Sequence, residues 1–285
     1  MSISLKMEDL KMKPKIITLI IFVILVIFSV PGCLNKTNKI VFAKNTPTST
    51  TSSTTNSPEI TPTQKVPRTA AKDIKVPILM YHSVTDKVWG YTNLHVSPKE
   101  FDAQMKYLKD NKYTALDFSE LEYAGEYTKP ILITLDDGYE NNYTEAYPIL
   151  KKYNIKATIF VCSGFIGNKT SLKVNQIKEM EGLVDIQSHT VTHSDLTKLN
   201  DESLERELKK SKEKLEEITG KKVYAFAYPA GQHNSKVIEM TKKYYEYAVL
   251  DRPYGFYYTG EDKYTIKRKY VSRETSIKGF AELVN

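Results

Sequence analysis

From residue 72 onward the chain alternates short apolar runs with segments of helical periodicity, and few folds tolerate that order. The runs cover residues 75–82, 130–135, 157–161, 184–187, 223–228, 247–250 and 265–271. The stretch PILITL at 130–135 is apolar at nearly every position, as expected of a strand buried on both faces rather than one. Between the runs lie helix signals. Ser97-Pro98-Lys99-Glu100 is a capping box with proline at the first helical position, and Phe101, Met105 and Leu108 follow at helical spacing. A second helix is expected over 144–153 and a third over 235–244. Asn200 opens a long helix with Leu204, Leu208, Leu215 and Ile218 on one face, and Gly220 stops it. Strands alternating with helices imply right-handed crossovers and a mainly parallel sheet, open or closed into a barrel, in one α/β domain. Catalytic groups in such folds gather at the C-terminal ends of the strands.

The first 71 residues have a different character. Lys11, Lys13 and Lys15 precede an apolar run at 16–30, the length of a signal-peptide core and short for a membrane span. Val30-Pro31-Gly32-Cys33 then resembles a bacterial lipobox, in which the cysteine receives lipid and becomes the new N-terminus. An uncleaved signal anchor is the other reading, and both place the rest of the chain outside the cytoplasm on a membrane tether. Either Met7 or Met12 as the start would keep that address. Residues 34–71, and 46–66 above all, are dominated by Thr, Ser and Pro. Such composition cannot bury enough surface to offset its ordering entropy, so a disordered linker is expected there. The formal charge is +7, of which residues 1–33 contribute +2, and no dense basic run remains. That excludes a nucleic-acid footprint and suits an anionic wall or membrane surface. With only Cys33 and Cys162, no disulfide framework is expected, and Cys162, closing an apolar run, is expected to be a buried small residue.

Three strand ends carry chemistry. Thr134-Leu135-Asp136-Asp137-Gly138-Tyr139 ends one run. Adjacent side chains on a strand point to opposite faces, so both carboxylates serve one site only if the chain turns, which Gly138 permits. Ser188-His189-Thr190-Val191-Thr192-His193 ends another, and His-x-x-x-His presents two imidazoles to one metal if the segment winds. Each motif alone is commonly incidental; their joint occurrence at two strand ends favours a site. Two His and one Asp with open positions fit a catalytic metal. Phe226-Ala227-Tyr228-Pro229-Ala230-Gly231 ends a third strand with a turn able to aim a backbone N–H.

Together these segments resemble the NodB-type polysaccharide deacetylases, carbohydrate esterase family 4, from about Ile74 to the C-terminus. The resemblance implies a distorted (β/α) barrel of about seven mainly parallel strands. It also implies Asp136 as catalytic base, and Asp137, His189 and His193 as ligands of one divalent metal. Zinc suits these ligands best; cobalt, nickel, manganese and iron are also accepted. Ala230 and Tyr139 fall on the substrate and oxyanion side. Ala227 stands where the family's third motif usually has an arginine that orients the base, so that orientation must come from elsewhere. The usual C-terminal Leu-x-His is also missing. His82, in Pro77-Ile78-Leu79-Met80-Tyr81-His82, is similar to the N-terminal histidine of extracellular poly-N-acetylglucosamine deacetylases and is the candidate general acid; a core histidine capping the strand is the other reading. His95 and His233 are left as surface or supporting residues.

The expected activity is metal-dependent removal of N-acetyl groups from an extracellular N-acetylglucosamine polymer by a membrane-tethered monomer. An O-acetyl esterase on xylan or another acetylated glycan, or a non-catalytic wall-binding module, stays open at this point. The loops expected to read the polymer, 85–96 and 252–262, carry no recognisable motif. For the tether, Cys33→Ser is predicted to leave a larger precursor without lipid label. Equal size and labelling in variant and parent would favour the uncleaved anchor.

Overall fold

A computed structural model describes residue 70 and residues 72–285; the expected signal segment and nearly all of the linker lie outside the described residues. Eight strands form the main sheet: β1 (Ile78–Tyr81), β2 (Thr114–Leu116), β3 (Pro130–Leu135), β4 (Ala157–Val161), β5 (Val184–Ser188), β6 (Ala225–Ala227), β7 (Tyr247–Val249) and β8 (Lys269–Tyr270). Their order is β7-β6-β5-β4-β3-β1-β8, with β2 also beside β3, and every ladder is parallel. The helices are α1 (Pro98–Asp110), α2 (Tyr147–Tyr153), α3 (Val174–Glu179), α4 (Asp201–Thr219), α5 (Ser235–Lys242) and α6 (Ile277–Val284).

Two details turn this sheet into a distorted barrel. Leu132 of β3 pairs with Ile78 on one side and Leu116 on the other, so β2 occupies the β4 side of β3, where β4 itself pairs only from Thr134 onward. The sequence expectation of about seven strands missed β2 because three residues show no periodicity. At the far end, Ile266 bridges to Val249 of β7, and Lys269 and Tyr270 pair with Leu79 and Met80 of β1. The run 265–271 expected as one strand is shared between the two edges of the sheet and closes it.

Closure creates two cores. Ile78, Leu132, Phe160, Ala225, Ala227, Val249 and Ile266 fill the barrel interior. Leu79, Ile133, Ile159, Ile186 and Ala248 face outward and pack with Phe101 and Met105 of α1, Leu150 of α2 and Leu204 and Leu208 of α4. Each fully buried apolar side chain contributes about 1.5–3 kcal/mol, which explains why the strands read as continuous apolar runs. The helix ends follow their expected chemistry. Ser97 Oγ accepts from the Glu100 N–H at 3.1 Å, Asn200 Oδ1 accepts from the Ser203 N–H at 2.9 Å, and Gly220 closes α4 at φ 65°.

Strand alternation then sets the site. Continuing the inward parity of Ile78, Leu132 and Ile266 leads to His82, Asp136 and Arg268, all toward one end of the barrel. Near the opposite end, at Asp185 of β5, the Tyr224 hydroxyl and Gln187 Nε2 donate to one carboxylate oxygen at 2.8 and 3.0 Å. Burial outweighs these donors and pushes the Asp185 carboxyl up to about 6. A carboxyl whose folded pKa is raised stabilises the fold below its ordinary value near 4, and that stabilisation is lost as pH rises through about 4 to 6. Asp185→Asn is therefore predicted to stabilise the protein at pH 7 relative to the parent, by at most about 3 kcal/mol. The difference should vanish near pH 4 in denaturant titrations; a pH-independent difference would contradict it.

Candidate active site

Asp136 leaves β3 on the inward side, and its N–H donates to Tyr81 O at 2.9 Å, which fixes the ends of β1 and β3 in register. Its carboxylate is buried and gripped from the far end of the chain. Arg268 Nη1 donates to Oδ1 at 2.7 Å and Nη2 to Oδ2 at 2.6 Å. The guanidinium is itself fully buried and tied by two further bonds, Nε to Leu250 O and Nη1 to Thr134 Oγ1, each 2.9 Å. Burial would raise the Asp136 carboxyl, but the Arg268 charge and hydrogen bonds hold it below the ordinary carboxylate value.

Asp137 has the wrong parity for the interior. It reaches the site because its own backbone is left-handed, φ 75°, followed by Gly138 at φ 70°. A side chain at 138 would bring its Cβ to 3.0 Å from a Val161 methyl, so glycine is needed there for space as well as conformation. His189 follows β5 and is buried; His193 is half-buried. The Nε2 atoms of both lie 3.4 Å from Asp137 Oδ1. His189 Nδ1 bonds Ala227 O at 2.8 Å. A carbonyl only accepts, so Nδ1 carries a proton, and in the neutral ring Nε2 presents its lone pair toward Asp137. Two neutral imidazole nitrogens and a carboxylate oxygen held this close repel one another unless a proton or a metal cation lies among them. Ligand separations of roughly 3.4 Å are what tetrahedral coordination at about 2.1 Å requires. The three ligand atoms lie within 4.8 Å of one another, and the donor set fits a divalent metal.

The loop bearing these histidines is clamped from α4. Glu207 is buried; its Oε2 accepts from the Val191 and Thr192 N–H groups, both at 2.9 Å, and its Oε1 from the Thr192 hydroxyl at 2.8 Å. Thr190 Oγ1 accepts from the His193 N–H at 2.9 Å. These bonds hold Thr190 and His193 at φ 68° and 58°. With Asp137 and Ala230 (φ 51°), four of the eight left-handed non-glycine residues among the described ones surround this site. Each such residue costs on the order of 1–2 kcal/mol, and backbone strain of this kind concentrates where function demands it.

One cavity of about 340 Å³ is lined by Asp136, Asp137, His189 and His193 together with His82 and Ala230. All the predicted site residues except Tyr139 thus line one cavity, including His82, whose carbonyl accepts from Asn142 Nδ2 at 2.8 Å and whose Nδ1 is buried without a partner among the described residues. Tyr139 is half-buried beside Asp137, which combines with burial to raise its phenol well above the usual range, and its ring meets Trp89 edge-on at 6.0 Å. His95 is buried and holds Trp89 O at 2.6 Å, outside this cavity; His233 packs on Tyr228. Cys162 is buried, its Sγ donates to His189 O, and burial pushes its thiol far above the usual range, leaving it a packing residue.

The polysaccharide deacetylase family pattern matches residues 125–248. A polysaccharide deacetylase of Bacillus cereus, known by crystal structure, is 41% identical and superposes with a TM-score of 0.71, covering 75% of this chain and 70% of that one. The YxkH protein of Bacillus subtilis, named for polysaccharide deacetylation, is 36% identical over 75% of this chain and 77% of its own. The chain belongs to the polysaccharide deacetylase family. A Staphylococcus aureus enzyme named poly-beta-1,6-N-acetyl-D-glucosamine N-deacetylase is 32% identical over 53% of this chain and 59% of that enzyme.

In this deacetylase the position of the third-motif arginine is Ala227, and Arg268 supplies the guanidinium from the closing segment instead. Sequence reasoning missed Arg268 and Glu207. The signal for Arg268 was present: in TIKRKYV it shares a face with Ile266, an inward position that a lone charge occupies only with a partner. Glu207 looked like one of many charges on α4. Removing one member of a fully buried pair leaves the other uncompensated, at about 3–5 kcal/mol. Arg268→Gln is predicted to lower unfolding stability by that order in metal-free protein. Adding Asp136→Asn should recover part of the loss; additive losses would mean that the pair is not coupled.

Proposed function

We propose that this deacetylase hydrolyses N-acetyl groups of an extracellular N-acetylglucosamine-containing polysaccharide, releasing acetate, with one divalent metal, zinc, held by Asp137, His189 and His193. The observation that carries the reading is the convergence in one cavity of that ligand set, a separately anchored carboxylate at Asp136, and His82. The likeness to the staphylococcal poly-N-acetylglucosamine deacetylase supports the sugar. The lysines, apolar run and Cys33 of residues 1–33 support a lipid-anchored position outside the membrane.

When bound, the metal supplies Lewis acidity that polarises the acetyl carbonyl and acidifies water. The chain's own residues do the rest. Asp136, barred from drifting toward the ligand set by its two bonds to Arg268, takes a proton from the attacking water. The arginine makes this carboxylate a weaker base and in return keeps it ionised and fixed in orientation. The Ala230 N–H, on its left-handed turn, stabilises the oxygen that gains charge as the carbonyl carbon becomes tetrahedral. His82 gives a proton to the nitrogen as the C–N bond breaks, since an amide anion is too poor a leaving group. Acetate and a free amino sugar leave.

Chelation is predicted to stop acetate release from N-acetylglucosamine oligomers, and zinc or cobalt to restore it. Asp136→Asn should retain metal and lose roughly 10²–10⁴-fold in rate; loss of the metal in that variant would mean the two aspartates exchange roles. His82→Ala should lose a similar factor on the amide and far less on an activated acetyl ester, which needs no proton donor. Equal losses on both substrates would make His82 structural.

A further inference from the structure

Beside the catalytic cavity lies a second one of about 560 Å³, within the roughly 300–1,000 Å³ range of small-molecule sites. The two adjoin: His82, Tyr91, Leu94, Asp251 and Arg252 line both. The walls of the second cavity come from residues 91–94 and 251–254, within and beside the loops that carry no motif, and from Tyr270 of β8.

These walls combine rigidity with exposed aromatic surface. Tyr254 and Tyr270 stack with centroids 5.6 Å apart and ring planes 9° apart. The Tyr270 hydroxyl donates to Asn93 O at 2.8 Å, which ties one loop to the barrel, and the Arg252 guanidinium lies 5.6 Å from the Tyr254 ring. Opposite in character is Tyr91, which is 82% exposed and has no ring contact among the described residues. A tyrosine held in water beside a cavity gains nothing for the fold, because its apolar face buries no area. Five of the eight large exposed apolar residues among the described ones, Val88, Trp89, Tyr91, Tyr254 and Tyr258, lie in the loops 85–96 and 252–262. Asp251 and Glu274 add carboxylate acceptors to the lining. Aromatic faces with a few fixed acceptors suit a pyranose ring, which has apolar C–H faces and a rim of hydroxyl donors.

We propose that this second cavity binds the sugar ring next in the polymer to the one being deacetylated, with Tyr91 closing on that ring against the Tyr254–Tyr270 stack. The inference rests on the deacetylase reading, because the occupant is the same chain whose acetamido group enters the catalytic cavity. The wall that the two cavities share makes this occupant the fitting one: a polymer with one ring at the first must place the next ring at a neighbouring opening.

The test compares substrates of different length. On an N-acetylglucosamine tetramer, Tyr91→Ala and Tyr254→Ala should raise KM roughly 5- to 30-fold, from lost apolar contact. On 4-nitrophenyl acetate, too small to reach the second cavity, Tyr254→Ala, whose residue lines only that cavity, should match the parent within about twofold. Tyr258→Ala, on the two-residue strand pairing with Lys75–Val76, serves as control and should change neither. Calorimetric binding of the tetramer to Asp136→Asn protein separates the two ideas. If the parent releases no acetate but Tyr91→Ala still weakens binding, the subsite stands and the deacetylase reading falls. Unchanged tetramer KM and binding in both tyrosine variants would overturn the subsite.

Discussion

A guanidinium and a carboxylate, both stripped of water inside a barrel, set the terms for the rest of this molecule. Burying either charge alone costs several kcal/mol, so Arg268 and Asp136 must meet, and they meet only if the last strand segment lies between β7 and β1. The same bonds that satisfy the charges, Nε to Leu250 O and Nη1 to Thr134 Oγ1, link the end of edge strand β7 to β3 across the barrel. Barrel closure and orientation of the candidate base are therefore one structural fact. A buried pair of this kind is a poor source of net stability; under the proposed mechanism its value lies in fixing one carboxylate beside a neighbour, one residue away, that is given a different job.

Bringing both Asp136 and Asp137 to one site, as the proposed division of labour requires, needs backbone conformations that side chains ordinarily avoid. A regular strand would send the second carboxylate to the helix layer. The left-handed pair at 137–138 returns it to the interior, and the loop 190–193 does the same for His193. Such strain persists only where surrounding bonds over-determine it. Here Glu207 supplies them, with three acceptor contacts to a four-residue loop. The candidate metal site is thus rigid before any ion arrives, which is what a preorganised ligand set requires.

Much of this was legible in the sequence, for a physical reason. Strands buried on both faces leave long apolar runs, so the parallel sheet and the strand-end placement of Asp136, Asp137, His82, His189 and His193 followed from pattern. What was hidden depended on tertiary partners. β2 is too short to show a period. Ile266 and Tyr270 read as one strand although they pair with different neighbours. Arg268 and Glu207 look like surface charges until the elements facing them are known. The loops 85–96 and 252–262 gave no motif because aromatic exposure, not residue order, is what marks them.

The central claim is that two adjacent aspartates are held apart in role, Asp137 among the histidines and Asp136 on Arg268. Anomalous diffraction from zinc-soaked crystals tests it most directly. The account predicts one peak within bonding distance of Asp137, His189 Nε2 and His193 Nε2, with both Asp136 oxygens still on Arg268. A peak coordinated by Asp136, or an Asp136 carboxylate swung away from Arg268 when metal binds, would contradict it.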